Sequence, residues 1–451
     1  MEIHVKKSTI ITPAQDTPKH LLPNSVLDLV VPQVYVPSVS FYRRPNDSNS
    51  NFFEAGLLKE SLSKVLVSFY PLAGRLREDE NGRLIEVYCN GEGVLFMEAQ
   101  SSCAIDDLGD FSESFKLLPL VPTVDDITDI SSRPLTMIQV THFKCGGVCL
   151  GTRVHHILGD ATSQFFKSWA EITRGLPNNG TQPFFDRTIL SVGIPTSPTF
   201  HHIEYDPPPS MNAPSQNIDL IRSNPESIST AILKLSVDQM STLKEKCDNT
   251  DRGGSAVKHS RFEIIAAHIW RCVCKARELP DDQASKLHCP TNGRFRLNPP
   301  LPSGYFGNVV FTTASIGLSG DIQSEPFNCT VERISNALKR MDDKYLKSAL
   351  AYLKQQPDLA SVRRGAHIYK CPNLNIVNMI QMPYGQNFGW GNPFFARPVN
   401  TYFEGISHIL PSPTNDGSLS VIINLETQHM QRFKKLFYEI FQQPQSTRSR
   451  Y

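Results

Sequence analysis

Nine prolines fall in the 49 residues from 177 to 225, three of them consecutive at Pro207, Pro208 and Pro209. Each proline fixes φ and removes an amide donor, so this stretch can be neither a long helix nor a central strand. It therefore reads as an extended crossover between two parts of similar size. The expected organisation is a first domain over residues 1–190, a crossover over 191–225 and a second domain over 226–451. A chain of 451 residues is long enough for a separate core in each part.

Both parts mix helix and strand patterns. Phe53, Leu57, Leu58, Leu62, Val65, Leu66 and Phe69 recur at three- and four-residue spacing and predict one apolar face of a helix. Residues 84–87 and 94–97 read as two short strands across a Cys89-Asn90-Gly91 turn. Residues 135–143 and 148–155 form a second pair around Lys144-Cys145-Gly146-Gly147, followed by a helix carrying Phe165, Trp169 and Ile172 and closing at Gly175. In the second part, strands are expected at 229–235, 308–312 and 418–424, and helices at 237–246, 262–276 and 428–441. Without regular strand–helix–strand spacing, the fold class is α/β with two layered domains rather than a barrel.

Charge narrows the function. Lys plus Arg number 45 and Asp plus Glu 44, a net charge of +1. That balance argues against nucleic-acid or anionic-membrane partners, which need excess basic charge. No stretch approaches the roughly 18 apolar residues of a membrane span, and the first twenty residues lack the apolar core of a signal peptide. A soluble cytoplasmic protein is expected. The ten cysteines are scattered with no C-x-x-C pair, so reduced, mostly buried thiols are expected, and no metal site.

The common catalytic loops are absent: no G-x-G-x-x-G, no G-x-x-x-x-G-K-[ST], no G-x-S-x-G and no H-E-x-x-H. What remains is His156-Ile-Leu-Gly-Asp160. Under the period-2 rule Val148, Leu150, Thr152, Val154 and His156 share one face of a strand. The strand ends there, which places His156 at an edge that reactants can reach. A neutral imidazole, with a pKa near ~6.5, can take a proton from a hydroxyl or amine. Asp160 could hold the imidazole, pair with a basic group, or simply cap the next helix. His202-Ile-Glu-Tyr-Asp206 has the same spacing inside the crossover, and His155 is a rival base on the opposite face. Asn387-Phe-Gly-Trp-Gly391 marks a tight turn, with Gly389 and Gly391 around Trp390. Arg364 could grip a carboxylate through both ends of its guanidinium, or lie in a solvated loop.

His156-x-x-x-Asp160 together with Asn387-Phe-Gly-Trp-Gly391 resembles the BAHD acyltransferases of plant specialised metabolism. So do YPLAGRL at 70–76, CNGEGVLF at 89–96, AHIWR at 267–271, GYFGNVVF at 304–311 and LPSPTNDGSLSV at 410–421. The likeness runs over residues 2–441 and is nearest to the hydroxycinnamoyl-CoA:shikimate/quinate hydroxycinnamoyltransferases of phenylpropanoid metabolism. It implies two chloramphenicol-acetyltransferase-like domains with a channel between them, and a monomer. Acyl-CoA is then a co-substrate, no cofactor is permanently bound, and the partner is a small-molecule alcohol or amine. By resemblance His156 is the general base, and Asp160 is mainly structural, turned onto an Arg such as Arg294. Ser260 is a contact to coenzyme A.

The departures from that pattern concern the acceptor and the loops. Ala161 stands where the family has Gly, and Asn387 where it has Asp. The shikimate enzymes carry Thr, Ser and Tyr at the positions of Val36, Ser38 and Ser40, and Thr and Trp at those of Val377 and Met379. Only Ser38 and Arg364 keep the shikimate-like pattern, so a less hydroxylated, more apolar acceptor is expected, still compatible with a carboxylate. Two other readings stand beside this one: a transferase using benzoyl- or aliphatic acyl-CoA, and a non-catalytic relative that binds a ligand or partner. Cys145→Ala and His202→Ala are expected to leave transfer largely intact.

Overall fold

The computed structural model describes residues 1–45, 51–78, 85–111, 114–123, 129–160, 162–177, 181–211, 228–248, 258–381, 385–399, 403–412 and 416–442. Ala161 lies outside them.

Two six-stranded mixed sheets organise the chain. The first runs in the order β1 (Ile3–Ile11), β6 (Val94–Ser101), β7 (Thr136–Phe143), β8 (Val148–His155), β3 (Tyr35–Tyr42) and β13 (Phe395–Pro398). The second runs β11 (Val310–Leu318), β10 (Ala284–Asn292), β12 (Leu374–Asn378), β14 (Ile406–Pro411), β15 (Leu419–Glu426) and β9 (Ile228–Leu235). A small third sheet joins β2 (His20–Leu22), β5 (Ile85–Cys89) and β4 (Arg75–Glu78). The α/β class with two layered units is as expected from the sequence. β13 adds a strand from the second half to the first sheet, pairing Pro398 with Ser38 and Ala396 with Ser40.

Helices cover one face of each sheet. In the first half, Leu58, Leu62 and Val65 of helix Ala55–Ser68 meet Phe165 and Trp169 of helix Thr162–Thr173 over Ile138, Val140 and Val148. Glu54 starts the former helix by accepting from the amides of Gly56 and Leu57 at 2.8 and 2.6 Å. In the second half, helix Arg261–Ala276 is apolar almost all round and packs on Leu374, Ile376, Ile409, Val421 and Ile423. Full burial of one such aliphatic side chain contributes about 1.5–3 kcal/mol. Because strand side chains alternate, Asn375, Val377, Ile406 and His408 must then point to the other face of the second sheet. That face is where the cavity lies.

The pairing of residues 135–143 with 148–155 is realised as the antiparallel β7–β8 ladder. The strand pair read across Cys89-Asn90-Gly91 is not a hairpin. β5 pairs with β2 and β4, whereas β6 pairs with β1 and β7 in another sheet. Gly93 allows the crossing: its φ is +105°, its amide donates to Ala73 O at 2.9 Å, and a Cβ there would lie 2.6 Å from Ile11 O. Alternation identifies a strand but is silent about its neighbour.

Candidate active site

A cavity of about 580 Å³ opens between the two sheets. One wall comes from β8 and β3. The antiparallel register sets Val36 opposite Val154, Ser38 opposite Thr152 and Ser40 opposite Leu150, and all six side chains line the cavity. The Ser38 and Thr152 hydroxyls are 2.7 Å apart and hydrogen-bonded. His156 follows on the same face, at the first position of a 3-10 turn over His156–Leu158, and lines the cavity. His155 takes the opposite face: its Nδ1 accepts from the Ile157 amide at 3.4 Å, and its ring packs edge-on against Tyr35. Burial pushes its pKa down to about 3.

The turn that presents His156 is held by buried polar groups. Arg187 donates to the carbonyls of Ile157 at 3.2 Å and Leu158 at 2.8 Å and pairs with Asp28 at 3.2 Å, both side chains being fully buried. Asp28 in turn accepts from the backbone and side-chain nitrogens of Asn308, each at 2.9 Å. Gly159 closes the turn with φ +146°, and a Cβ on it would press to 3.0 Å against the Gly307 backbone. Asp160 forms an ion pair with Arg294, and its second oxygen accepts from the Val309 amide at 2.9 Å. Arg294 also donates to Gly307 O at 2.8 Å. Asp160 is thus committed to the second half of the chain.

The opposite wall is the face of the second sheet carrying Asn375, Val377, Ile406 and His408, with Met379 and Arg364 beside it. The Arg364 amide is anchored to Val30 O at 3.0 Å, and its Nη1 reaches Thr312 Oγ1 at 3.4 Å. Its Nη2 is buried with no partner. Arg364 as a residue lines the cavity, while this nitrogen is itself enclosed by protein. Burial and then the Arg364 charge hold the His156 pKa below the usual 6.5, so the imidazole is neutral at neutral pH. Burial, with Arg397 adding to it, lowers His408 to about 4.

The glycine-rich turn sits at the end of this cavity. Asn387 Oδ1 accepts from the amides of Gly389 at 2.9 Å and Gly391 at 3.1 Å, and these two glycines have φ of +114° and +96°. Trp390 packs against Phe53 with the rings tilted and their centroids 4.8 Å apart, and Phe388 meets Trp169 at 4.8 Å, so a loop of the second half completes the core of the first. Ser260 is the N-cap of helix Arg261–Ala276 in a capping box with Glu263 and is not part of the cavity wall.

The structure therefore brings together His156, Asp160, Arg364, Val36, Ser38, Ser40, Val377 and Met379 around one cavity. His202 is elsewhere: it is buried, with Nδ1 3.0 Å from Glu204 Oε1 and Nε2 2.9 Å from Ser348 Oγ, while Asp206 pairs with His201. Sequence reasoning missed Asp28, Arg187, Asn308, Asn375 and His408. Asp28 carried a signal, since Ser25-x-x-Asp28 is a capping box; the others are ordinary polar residues until the fold places them. Among the described residues no group of three or more His, Cys, Asp or Glu is arranged to hold a metal, and no helix is long and apolar enough to cross a membrane. A neutral imidazole in a largely apolar cavity also lined by an arginine can remove a proton from a bound nucleophile while an anionic group is held near it.

The Transferase family profile matches residues 1–440. A shikimate O-hydroxycinnamoyltransferase of Nicotiana tabacum is 49% identical over 442 residues, covering 97% of this chain and 100% of that protein. A hydroxycinnamoyl-CoA:5-hydroxyanthranilate N-hydroxycinnamoyltransferase of Avena sativa is 44% identical over 447 residues, covering 97% and 100%. Among solved structures, vinorine synthase superposes with a TM-score of 0.75 at 20% identity, covering 97% of this chain and 98% of that one.

Proposed function

The chain belongs to the BAHD acyltransferase family and is an acyltransferase, and on that premise we propose that it moves a hydroxycinnamoyl group from coenzyme A to a carboxylate-bearing alcohol or amine. The observation that carries this reading is the single cavity lined by both His156 and Arg364. Two relatives support the acyl group by name, and their acceptors, shikimate and 5-hydroxyanthranilate, both carry a carboxylate.

In the proposed reaction His156 takes the proton from the acceptor's hydroxyl or amine as that atom attacks the thioester carbonyl. The C–S bond of the tetrahedral intermediate then breaks, and the proton leaves with the coenzyme A thiol. No acyl-enzyme forms, so no serine or cysteine nucleophile is required. Arg364 holds the acceptor carboxylate, and Val36, Val377 and Met379 favour an apolar, aromatic body over a polyhydroxylated ring. Leaving hydroxyls of such a ring unpaired costs about 1–3 kcal/mol each. Asp160, Arg294 and the Asn387–Gly391 turn shape the site without touching the reacting atoms. Ser260, at a helix N-terminus, is proposed to meet coenzyme A beyond the cavity. The enzyme is read as a cytoplasmic monomer with no nucleic-acid or membrane partner, consistent with its balanced charge.

The test is thiol release from p-coumaroyl-, caffeoyl-, feruloyl- and benzoyl-CoA with shikimate, quinate, aromatic hydroxy and amino acids, polyamines and simple alcohols. Acceptor-dependent release with an aromatic acid, abolished in a folded His156→Ala variant, is the expected result. Full activity of that variant would overturn the assigned base, and a preference for uncharged acceptors would overturn the role of Arg364.

A further inference from the structure

His408 lines the cavity but takes no part in the chemistry proposed above. It is only 8% exposed, and among the described residues its ring nitrogens have no hydrogen-bond partner. Neither nitrogen is sealed within protein, so the ring keeps a hydrogen-bonding edge open to the cavity. Its neighbours on that wall are apolar: Val377 stands level with it on β12, and Ile406 precedes it by two residues on β14. Burial, with Arg397 adding to it, keeps the ring neutral at neutral pH, so it offers one donor and one acceptor. Once a substrate has displaced water from such a wall, an imidazole left without a partner is unfavourable.

The sheet registers place His408 at the far end of the wall from Arg364. Arg364 Nη1 reaches Thr312 on β11, and Thr312 pairs with Pro290 on β10. His288 of β10 is level with Asn375 of β12, which sets Pro290 level with Val377, and Val377 pairs with His408. Thr312, Pro290, Val377 and His408 thus form one row across adjacent strands, and the last three line the cavity. Three strand spacings separate its ends, about 14 Å between backbones. His156 belongs to the Arg364 end: the Arg364 charge acts on its ring, and Asn308 and Val309, which hold its turn, lead directly into β11. An acceptor gripped by Arg364 occupies that end, beside the base. The acyl chain, whose carbonyl must also meet His156, is left the other.

We propose that His408 is a specificity-determining residue for the acyl donor: its imidazole accepts a hydrogen bond from the ring hydroxyl of the hydroxycinnamoyl group. The trans alkene makes that group flat and rigid, so the aromatic hydroxyl is carried a fixed distance from the reacting carbonyl, toward the far end of the wall. A benzoyl group, without the intervening alkene, stops short of His408, and a cinnamoyl group without a hydroxyl leaves the imidazole unpaired. A site built to bond a hydroxyl disfavours the analogue that lacks it. The inference rests on the acyl transfer proposed above, with Arg364 marking the acceptor's end of the cavity.

The experiment measures kcat/KM of the full chain for p-coumaroyl-CoA and cinnamoyl-CoA with one acceptor, in the parent protein, His408→Phe and His408→Gln. The parent is expected to prefer p-coumaroyl-CoA by about 10-fold or more. That preference should collapse toward one in His408→Phe, which puts an apolar ring in the same place, and be partly kept in His408→Gln, whose amide can still bond the hydroxyl. An unaltered ratio in a folded His408→Phe would overturn the proposal. So would a parent protein indifferent to the hydroxyl, a readout that stands even if neither variant folds. A raised KM for the acceptor with the acyl-CoA ratio unmoved would put His408 at the acceptor and overturn it as well. Transfer of no aromatic acyl group by the parent would instead overturn the function proposed above, so the two failures are distinguishable.

Discussion

Asp160 and Arg294, 134 residues apart, form a nearly buried ion pair that clasps the two halves of the chain at the edge of the cavity. The other Asp160 oxygen accepts from the Val309 amide, so both oxygens are bonded to the second half of the chain and the carboxylate acts on the His156 ring through its charge. The aspartate of His156-x-x-x-Asp160 fixes the position of the turn that carries His156.

Asp160→Ala should therefore act through folding. Removing one partner of a buried pair costs about 3–5 kcal/mol, because the other charge is left desolvated. Arg294→Ala should lower Tm by a similar amount, and the double variant by less than the sum of the two. Thermal melting of the three proteins checks this; normal melting of Asp160→Ala with lost turnover would assign the carboxylate a direct chemical role.

The acid limb of kcat/KM should lie below pH 6.5, because burial and the Arg364 charge both disfavour imidazolium at position 156. Activity is then flat through neutrality and is lost as pH falls and His156 becomes protonated. Arg364→Gln removes one of the two causes, so its acid limb should move to higher pH, alongside a raised KM for a carboxylate acceptor and an unaltered KM for acyl-CoA. A limb that stays in place in this variant would contradict the electrostatic coupling.

His202→Ala should preserve the chemistry but not the stability. The sequence alone suggested that transfer survives, and was silent on stability. The structure instead shows a buried ring bridging Glu204 and Ser348, with Glu204 also accepting from Tyr345 Oη at 2.8 Å. Stranding those buried groups costs on the order of 3 kcal/mol. Denaturant unfolding should show that loss, with kcat of the folded fraction unchanged.

Mild acid should destabilise the fold. Burial lowers the pKa of His155 and His288 to about 3, and of His268 and His408 to about 4. Unfolded, each titrates near ~6.5, so below that pH the unfolded chain binds more protons. Stability present above pH 6.5 is lost as pH falls toward the folded values, by about 2 kcal/mol per histidine at pH 5. Denaturant midpoints at pH 7.5, 6 and 5 check this, and His408→Gln should flatten the trend. A midpoint constant from pH 7.5 to 5 would refute it.

Much of the fold and site was legible in the sequence because it rests on local rules. Apolar spacing from Phe53 to Phe69 gave a helix, and alternation from Val148 to His156 gave a strand face that points His156 into the cavity. Glycines at 389 and 391 gave a turn with positive φ. These depend on a few consecutive residues and the geometry of one strand or helix.

The tertiary structure alone decided who meets whom. Leu84 to Met97 reads as a hairpin, yet β5 and β6 join different sheets because their partners lie far away in the chain. His156 and His202 share one motif spacing, and only packing sends one to a cavity and the other into a sealed network. Arg187 and Asn308 look unremarkable in sequence, and Asp28 reads there as no more than a helix-capping residue; burial beside one another, with hydrogen bonds that must be satisfied, makes them the support of the His156 turn. Period and turn chemistry are written in neighbouring residues. Strand partnership, burial and the fate of each polar atom depend on contacts across more than a hundred residues, and no local pattern encodes them.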